Sequence, residues 1–248
     1  MKKLNNIILN KSDLLESILL KEEINAEGIT PSQYKKDSKK DKPTDYNEVH
    51  DHAIRNLTGD ISSIPKEQKT SIGRWTQNSN PGYKQMNNHM KGVVTGDKEV
   101  QKHCNNLTDA INSHELPNST YAYRGIQRTT AESVRSLKPG DHWSNKGFAS
   151  ATLDPNRSTH FAHGDVMAIH APKGTKALYT SHPKLNSHTE ERELTFPHNT
   201  HMKFNGRESF EVHGHHYDGT PTGEKKTITL HHFTVVPHTN VQGELDRE

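Results

Sequence analysis

In the segment Glu190-Glu191-Arg192-Glu193-Leu194-Thr195-Phe196-Pro197, carboxylates crowd the approach to an apolar pair. Successive side chains of an extended chain point to opposite faces. Leu194 and Phe196 then face a core, and Glu191, Glu193 and Thr195 share the other face. Two carboxylates two residues apart on one face stand roughly 7 Å from each other and repel. A purely structural strand has no reason to prefer that, so the pair is a candidate for chemistry; the competing reading is a solvated acidic edge. The stretch Gly147-Phe148-Ala149-Ser150-Ala151-Thr152 repeats the pattern. Alternation places Phe148, Ser150 and Thr152 on one face and the small Ala149 and Ala151 on the other. A ring beside two hydroxyls suits a cleft that stacks a flat group and hydrogen-bonds a carboxylate or a sugar. In Tyr121-Ala122-Tyr123-Arg124-Gly125, the fixed fork of Arg124 suits phosphate, and Gly125 lets another group approach the backbone closely.

These segments need elements to hold them. Leu14, Leu15, Ile18, Leu19 and Ile24 recur at helical spacing behind Ser12 as N-cap. Residues 33–48 carry Lys35, Lys36, Lys39, Lys40 and Lys42 and read as a solvated linker, giving a division into residues 1–45 and a domain over 46–248. Helices are expected around Val49–Leu57, Pro65–Trp75, Tyr83–Gly92 and Val100–Ile111. After Pro117 the rhythm changes to short strands separated by Gly, Pro and Asn: Thr120–Arg124, Gly147–Leu153, Val166–Ala171, Lys176–Thr180, Glu191–Phe196, His201–Phe204, Ser209–His213 and Thr227–Val236, with a helix over Thr130–Leu137. Helices first and strands later is the α+β pattern.

The ordered set of motifs resembles the mono-ADP-ribosyltransferases of the Arg-Ser-Glu class, which include clostridial binary-toxin and T-even-phage enzymes. The resemblance spans about residues 65–236. It takes in Ile72-Gly73-Arg74-Trp75, Tyr83-Lys84-Gln85-Met86-Asn87 and Ala171-Pro172-Lys173-Gly174-Thr175. It implies N-terminal helices packed on two antiparallel sheets, with NAD as substrate in the cleft between them. On that resemblance, Arg124 grips the NAD phosphates and braces the nicotinamide ribose, while the Gly125 backbone bonds the nicotinamide amide. Phe148 packs on the nicotinamide ring, Ser150 orients Glu193, and Thr152 supports the strand. Glu193 binds a ribose hydroxyl and stabilises the oxocarbenium-like cation as nicotinamide leaves. Glu191 serves the acceptor, because a guanidinium with a pKa of about 12.5 or more is a poor nucleophile without a carboxylate to take its proton. A glutamate at that position resembles the arginine-modifying members. The acceptor implied is an exposed arginine of a target protein, in a phage-effector or bacterial-toxin setting; modification of RNA or DNA bases and a non-catalytic binding module stay open.

Composition bounds the rest. Leu, Ile, Val and Phe make up 45 of 248 residues, or 18%, below the roughly 20% that accompanies disorder. The net charge of only +2 does not meet the other half of that rule. The aliphatics fall at helical or alternate positions, so a thin-cored domain with a polar cleft is expected, with disorder confined to residues 33–48. Cys104 is the lone cysteine, which excludes a disulfide framework and a Cys-based zinc site. No apolar run approaches a membrane span, and charges interrupt the N-terminus where a signal peptide needs an apolar stretch. A cytoplasmic monomer is expected. His160-x-x-His163 and His213-Gly214-His215-His216 have ligand-like spacing, but no carboxylate or cysteine completes a set, and no metal is expected.

Overall fold

Every apolar stretch of helical period between residues 48 and 112 forms a helix. The computed structural model describes residues 28–236 apart from 78, 95–96, 187 and 217–219. The helix expected near Leu14–Ile24 lies outside the described residues. The helices before the first strand are α1 (Pro31–Asp37), α2 (Glu48–Asn56), α3 (Lys66–Thr76), α4 (Tyr83–Met90) and α5 (Lys98–Asn112). Thr30 caps α1 and Asp97 caps α5 with side-chain oxygens.

The strands follow: β1 (Thr120–Ile126), β2 (His142–Asn145), β3 (Ala149–Thr152), β4 (Asp165–Ala171), β5 (Leu178–Tyr179), β6 (Glu193–Phe196), β7 (Thr200–His215) and β8 (Pro221–Val235). Helix α6 (Arg128–Ser136) joins β1 to β2, and the short α7 (Pro155–Ser158) follows β3. Hydrogen bonds run through all eight strands in the order β2-β7-β8-β4-β1-β3-β6-β5. The two halves of this order meet at β1 and β3 through the pair Tyr123↔Thr152. Two departures from the sequence reading follow from the ladder. The pair β4–β8 is parallel. The expected strands His201–Phe204 and Ser209–His213 are one strand, β7, because a bulge at Gly206 (φ 142°) absorbs the irregularity without breaking the pairing with β8.

Two apolar clusters flank the β3–β6–β5 half. The larger lies among the strands, α1, α2 and α6, and includes Ala149, Ala151, Leu194 and Phe196. The smaller is the core of the α3–α4–α5 layer, with Ile72, Trp75, Met86, Cys104 and Leu107, and it takes Phe148 and Leu178 from the sheet side. Alternation thus works as expected on β3: its alanines face one cluster while Phe148 precedes it facing the other. Cys104 is a packing residue; burial pushes its thiol up to about 11.

The lysine-rich stretch differs from the solvated linker read in the sequence. Residues 31–37 are helical, and Tyr34 is 2% exposed, edge-on to Tyr123 and Phe210 in the larger cluster. Lys35 pairs with Glu208 on β7, which ties the stretch to the domain, while Lys40 pairs locally with Asp37 at the end of α1. Two buried tyrosines, Tyr34 and Tyr46, pin a segment that carries nine charges. Tyr34→Ala should therefore cost about 3 kcal/mol or more in urea unfolding, as for other large buried aromatics; a change within about 0.5 kcal/mol, typical of a surface site, would restore the linker reading.

Candidate active site

Strand β6 begins at Glu193 and places that carboxylate against the helical layer, opposite the Leu194 and Phe196 face. Glu193 is 6% exposed and Thr195 is fully buried, which overturns the solvated-edge alternative for this strand. A buried carboxylate has to be hydrogen-bonded. Three donors converge on one oxygen, Oε1: the Ser150 hydroxyl, the Trp75 indole Nε1–H at 3.0 Å and the Thr195 hydroxyl at 3.1 Å. The backbone is held as well. The Glu193 N–H donates to Ser181 Oγ at 2.8 Å, and its carbonyl accepts from Thr180 N–H at 2.9 Å. Burial raises the Glu193 carboxyl above its ordinary value; the Ser150 bond opposes this, neighbouring Glu191 adds to it, and the bonds from Trp75 and Thr195 oppose it further.

Ser150 lies on β3 directly opposite Thr195, and Thr152 lies opposite Glu193. Thr152 Oγ1 accepts from the Asp154 N–H at 3.1 Å, so it fastens the turn after β3. Arg124, on β1, is partly buried and donates from Nη1 to the Ser150 carbonyl at 2.5 Å. Burial lowers its pKa, and the negative charge of Glu193 pulls the other way. Arg124, Ser150 and Glu193 therefore form one connected group across three neighbouring strands. The close approach expected at Gly125 is made by the chain itself: a Cβ there would stand 2.3 Å from the Ser158 carbonyl oxygen and 2.7 Å from the Ala162 nitrogen. Gly147 similarly admits α4, since a Cβ would meet Asn87 Oδ1 at 2.3 Å.

Two placements depart from strand alternation. Glu191 is not on β6. It ends a single 3-10 turn (Thr189–Glu191), partly exposed, and left-handed Arg192 (φ 50°) separates it from the strand. Phe148 is buried, with its ring 5.3 Å from Trp75 and 5.9 Å from His198, both edge-on. It packs within the helical layer where an open stacking face was expected. Trp75, Thr180 and Ser181 were not singled out as site residues by the sequence. Trp75 carried a usable signal, since a buried indole N–H needs an acceptor and the chain has two tryptophans; Thr180 and Ser181 carried none. Among the described residues, no group of three or more His, Cys, Asp or Glu side chains is placed to hold a metal ion, and no helix is long and apolar enough to cross a membrane.

A family model, ADP-ribosyltransferase exoenzyme, matches residues 45–226. The chain belongs to that family. It is an NAD-dependent ADP-ribosyltransferase, and NAD is its substrate. Solved structures of similar fold include Plx2a, an ADP-ribosyltransferase toxin from Paenibacillus larvae, at 20% identity and TM-score 0.55 over 71% of this chain and 89% of that one. BECa, an ADP-ribosylating toxin of a binary enterotoxin of C. perfringens solved with NADH, is 16% identical with TM-score 0.55, over 71% of this chain and 45% of its own. C2-I, the enzymatic component of the C2 toxin from Clostridium botulinum, is 14% identical with TM-score 0.57, over 82% of this chain and 49% of its own. The chain thus spans most of Plx2a but about half of the binary-toxin components. No curated protein sequence matches it.

For this ADP-ribosyltransferase the hydrogen bonds to Glu193 carry a pH consequence. In the cation-stabilising role that the resemblance implies for Glu193, the carboxylate acts only when ionised, so nicotinamide release should rise with pH through a limb lying above the ordinary carboxylate value of about 4.3. Ser150→Ala and Trp75→Phe each remove a donor that favours the anion, and each should move that limb further up in kcat/KM profiles. A downward shift in both variants would show that these donors do not stabilise the anion.

Proposed function

We propose that this ADP-ribosyltransferase transfers ADP-ribose from NAD to arginine side chains of a target protein. The observation that carries the reading is the pairing of a buried, triply hydrogen-bonded Glu193 with a partly exposed Glu191 on the adjoining turn. The two carboxylates stand in different environments, which suits two tasks.

In this reading, Arg124 binds the NAD phosphates and braces the nicotinamide ribose, and the Gly125 backbone meets the nicotinamide amide. Phe148 and Trp75, both buried and packed edge-on, back the cleft from within the helical layer. Glu193, held through Oε1, offers its other oxygen to a ribose hydroxyl. As the bond from ribose C1′ to the nicotinamide nitrogen breaks, nicotinamide leaves neutral and positive charge develops on the ribose. Glu193 lies fixed beside that charge, so its effect falls mainly in the transition state. Ser150 and Thr195 orient the carboxylate, and Thr152 fastens the strand end. The arginine nitrogen then forms a bond to C1′, and Glu191 accepts the proton that the guanidinium releases. A carboxylate is required there because the guanidinium is protonated at neutral pH.

The turn before Glu191, residues 183–190, is where we place the target. Its exposed members include Pro183, Lys184, His188 and Glu190. We assign the protein a toxin or phage-effector role in a bacterial or infected-host cytoplasm, acting as a monomer. Lys35 is paired with Glu208 and Lys40 with Asp37, which lowers the net positive charge the stretch would offer a nucleic acid and favours a protein target.

Three variants separate the roles. Glu193→Gln and Arg124→Ala should lose both nicotinamide release and transfer, by on the order of 10²-fold or more. Glu191→Ala should lose transfer while residual NAD hydrolysis continues. Equal loss of both reactions in Glu191→Ala would count against the division of labour. Mass spectrometry of a treated lysate should find ADP-ribose on arginine in protease-sensitive material; label lost only on nuclease treatment would point to base modification.

A further inference from the structure

The residue between the two glutamates holds a backbone conformation that its type disfavours. Arg192 has φ 50° and ψ 42°, in the left-handed region. For a bulky L-residue this region is sterically costly and persists only where the surroundings enforce it. The enforcing contacts are on the side chain. Arg192 is 8% exposed; Nη1 meets the Asp154 carboxylate and donates to the Tyr46 carbonyl at 3.1 Å, and Nη2 donates to Asn47 Oδ1 at 2.5 Å.

Each partner has been placed for this. Asp154 uses one carboxylate oxygen to cap α7, accepting from the Asn156 N–H at 2.9 Å, and the other to meet Arg192. Asn47 stands at the N-cap position of α2, yet its side chain makes no capping bond to that helix. Its oxygen goes to Arg192 instead. Tyr46 is itself tied to α1 by its hydroxyl, which donates to Asp37 Oδ2 at 2.9 Å. The Arg192 carbonyl accepts from the Leu153 N–H at 3.0 Å, so the chain joins the β3 ladder immediately after the reversal. Without that reversal, Glu191 would continue strand alternation; with it, Glu191 moves onto a turn beside Glu193.

We infer that Arg192 is a positioning residue, whose clamped guanidinium fixes the Glu191 turn relative to Glu193 and so sets how the ADP-ribosyl group divides between acceptor and water. The inference rests on the acceptor role proposed for Glu191. The clamp also gives the segment before the catalytic strands a task, since two of its three anchors come from residues 46–47, at the end of the lysine-rich stretch.

The test uses the full chain and three measurements: thermal stability, amide hydrogen exchange across residues 186–193, and the ratio of ADP-ribose transferred to agmatine over NAD hydrolysed. Arg192→Lys keeps the charge but loses the planar fork. Asn47→Ala removes one anchor and is the milder variant should Arg192→Lys fold poorly. Both should speed exchange within 186–193 and lower the transfer ratio, by on the order of 10- to 100-fold in Arg192→Lys, the scale on which a small misplacement acts. Arg192→Gly relieves the backbone and removes the clamp, and should behave like Arg192→Lys. Unchanged exchange in this turn overturns the inference, as does a loss of both reactions in step with melting temperature. A wild type that hydrolyses NAD but modifies no guanidinium contradicts the arginine reading, while faster exchange confined to 186–193 in the variants still supports the clamp.

Discussion

A carboxylate taken out of water has to be compensated, and Glu193 is compensated from three directions at once. Its Oε1 takes hydrogen bonds from β3 through Ser150, from its own strand through Thr195, and from the helical layer through Trp75. The last of these matters most for the architecture, because it joins the helical layer to the sheet. The α3–α4–α5 layer must dock so that a single indole nitrogen reaches a strand 118 residues further along the chain. Phe148 seats that indole from the sheet side, and the missing side chain at Gly147 lets α4 close over it. The same three bonds work against the desolvation that raises the Glu193 carboxyl. Position and ionisation of the carboxylate we propose to face NAD are thus set by one set of contacts.

The low apolar content follows from this arrangement. Between the two apolar clusters the sheet carries a buried polar seam: Thr180, Ser181 and Thr195 are all fully buried and all bonded to Glu193 or to each other. Hydroxyls occupy places that a larger aliphatic core would otherwise fill. Such residues count as polar in a composition yet are interior in the fold.

Much of the site was legible because strand alternation is a rigid geometric rule. Alternation set Ser150 on the face opposite Ala149 and Ala151, and Glu193 on the face opposite Leu194 and Phe196; the family resemblance implied that the two side chains meet, as they do. The failures occurred where the chain leaves that geometry. Glu191 could not be read from alternation because Arg192 adopts a left-handed conformation, enforced by Asp154, Tyr46 and Asn47 from distant parts of the chain. Tyr34 was lost among lysines because local composition averages over the few residues that decide burial. The joining of two expected strands into β7 depended on a bulge at Gly206, which a turn-like composition does not distinguish from a real turn. Each of these misses is a tertiary effect overriding a local pattern.

The central claim is that Glu193 is a buried, ionisable carboxylate whose environment is built for NAD. It is tested most directly by a ¹³C NMR titration of the glutamate side chains, assigned through Glu193→Gln, with and without NAD. The account requires a Glu193 carboxyl that titrates above the ordinary value and whose resonance moves when NAD binds. A carboxyl that titrates at the ordinary value and does not respond to saturating NAD contradicts it.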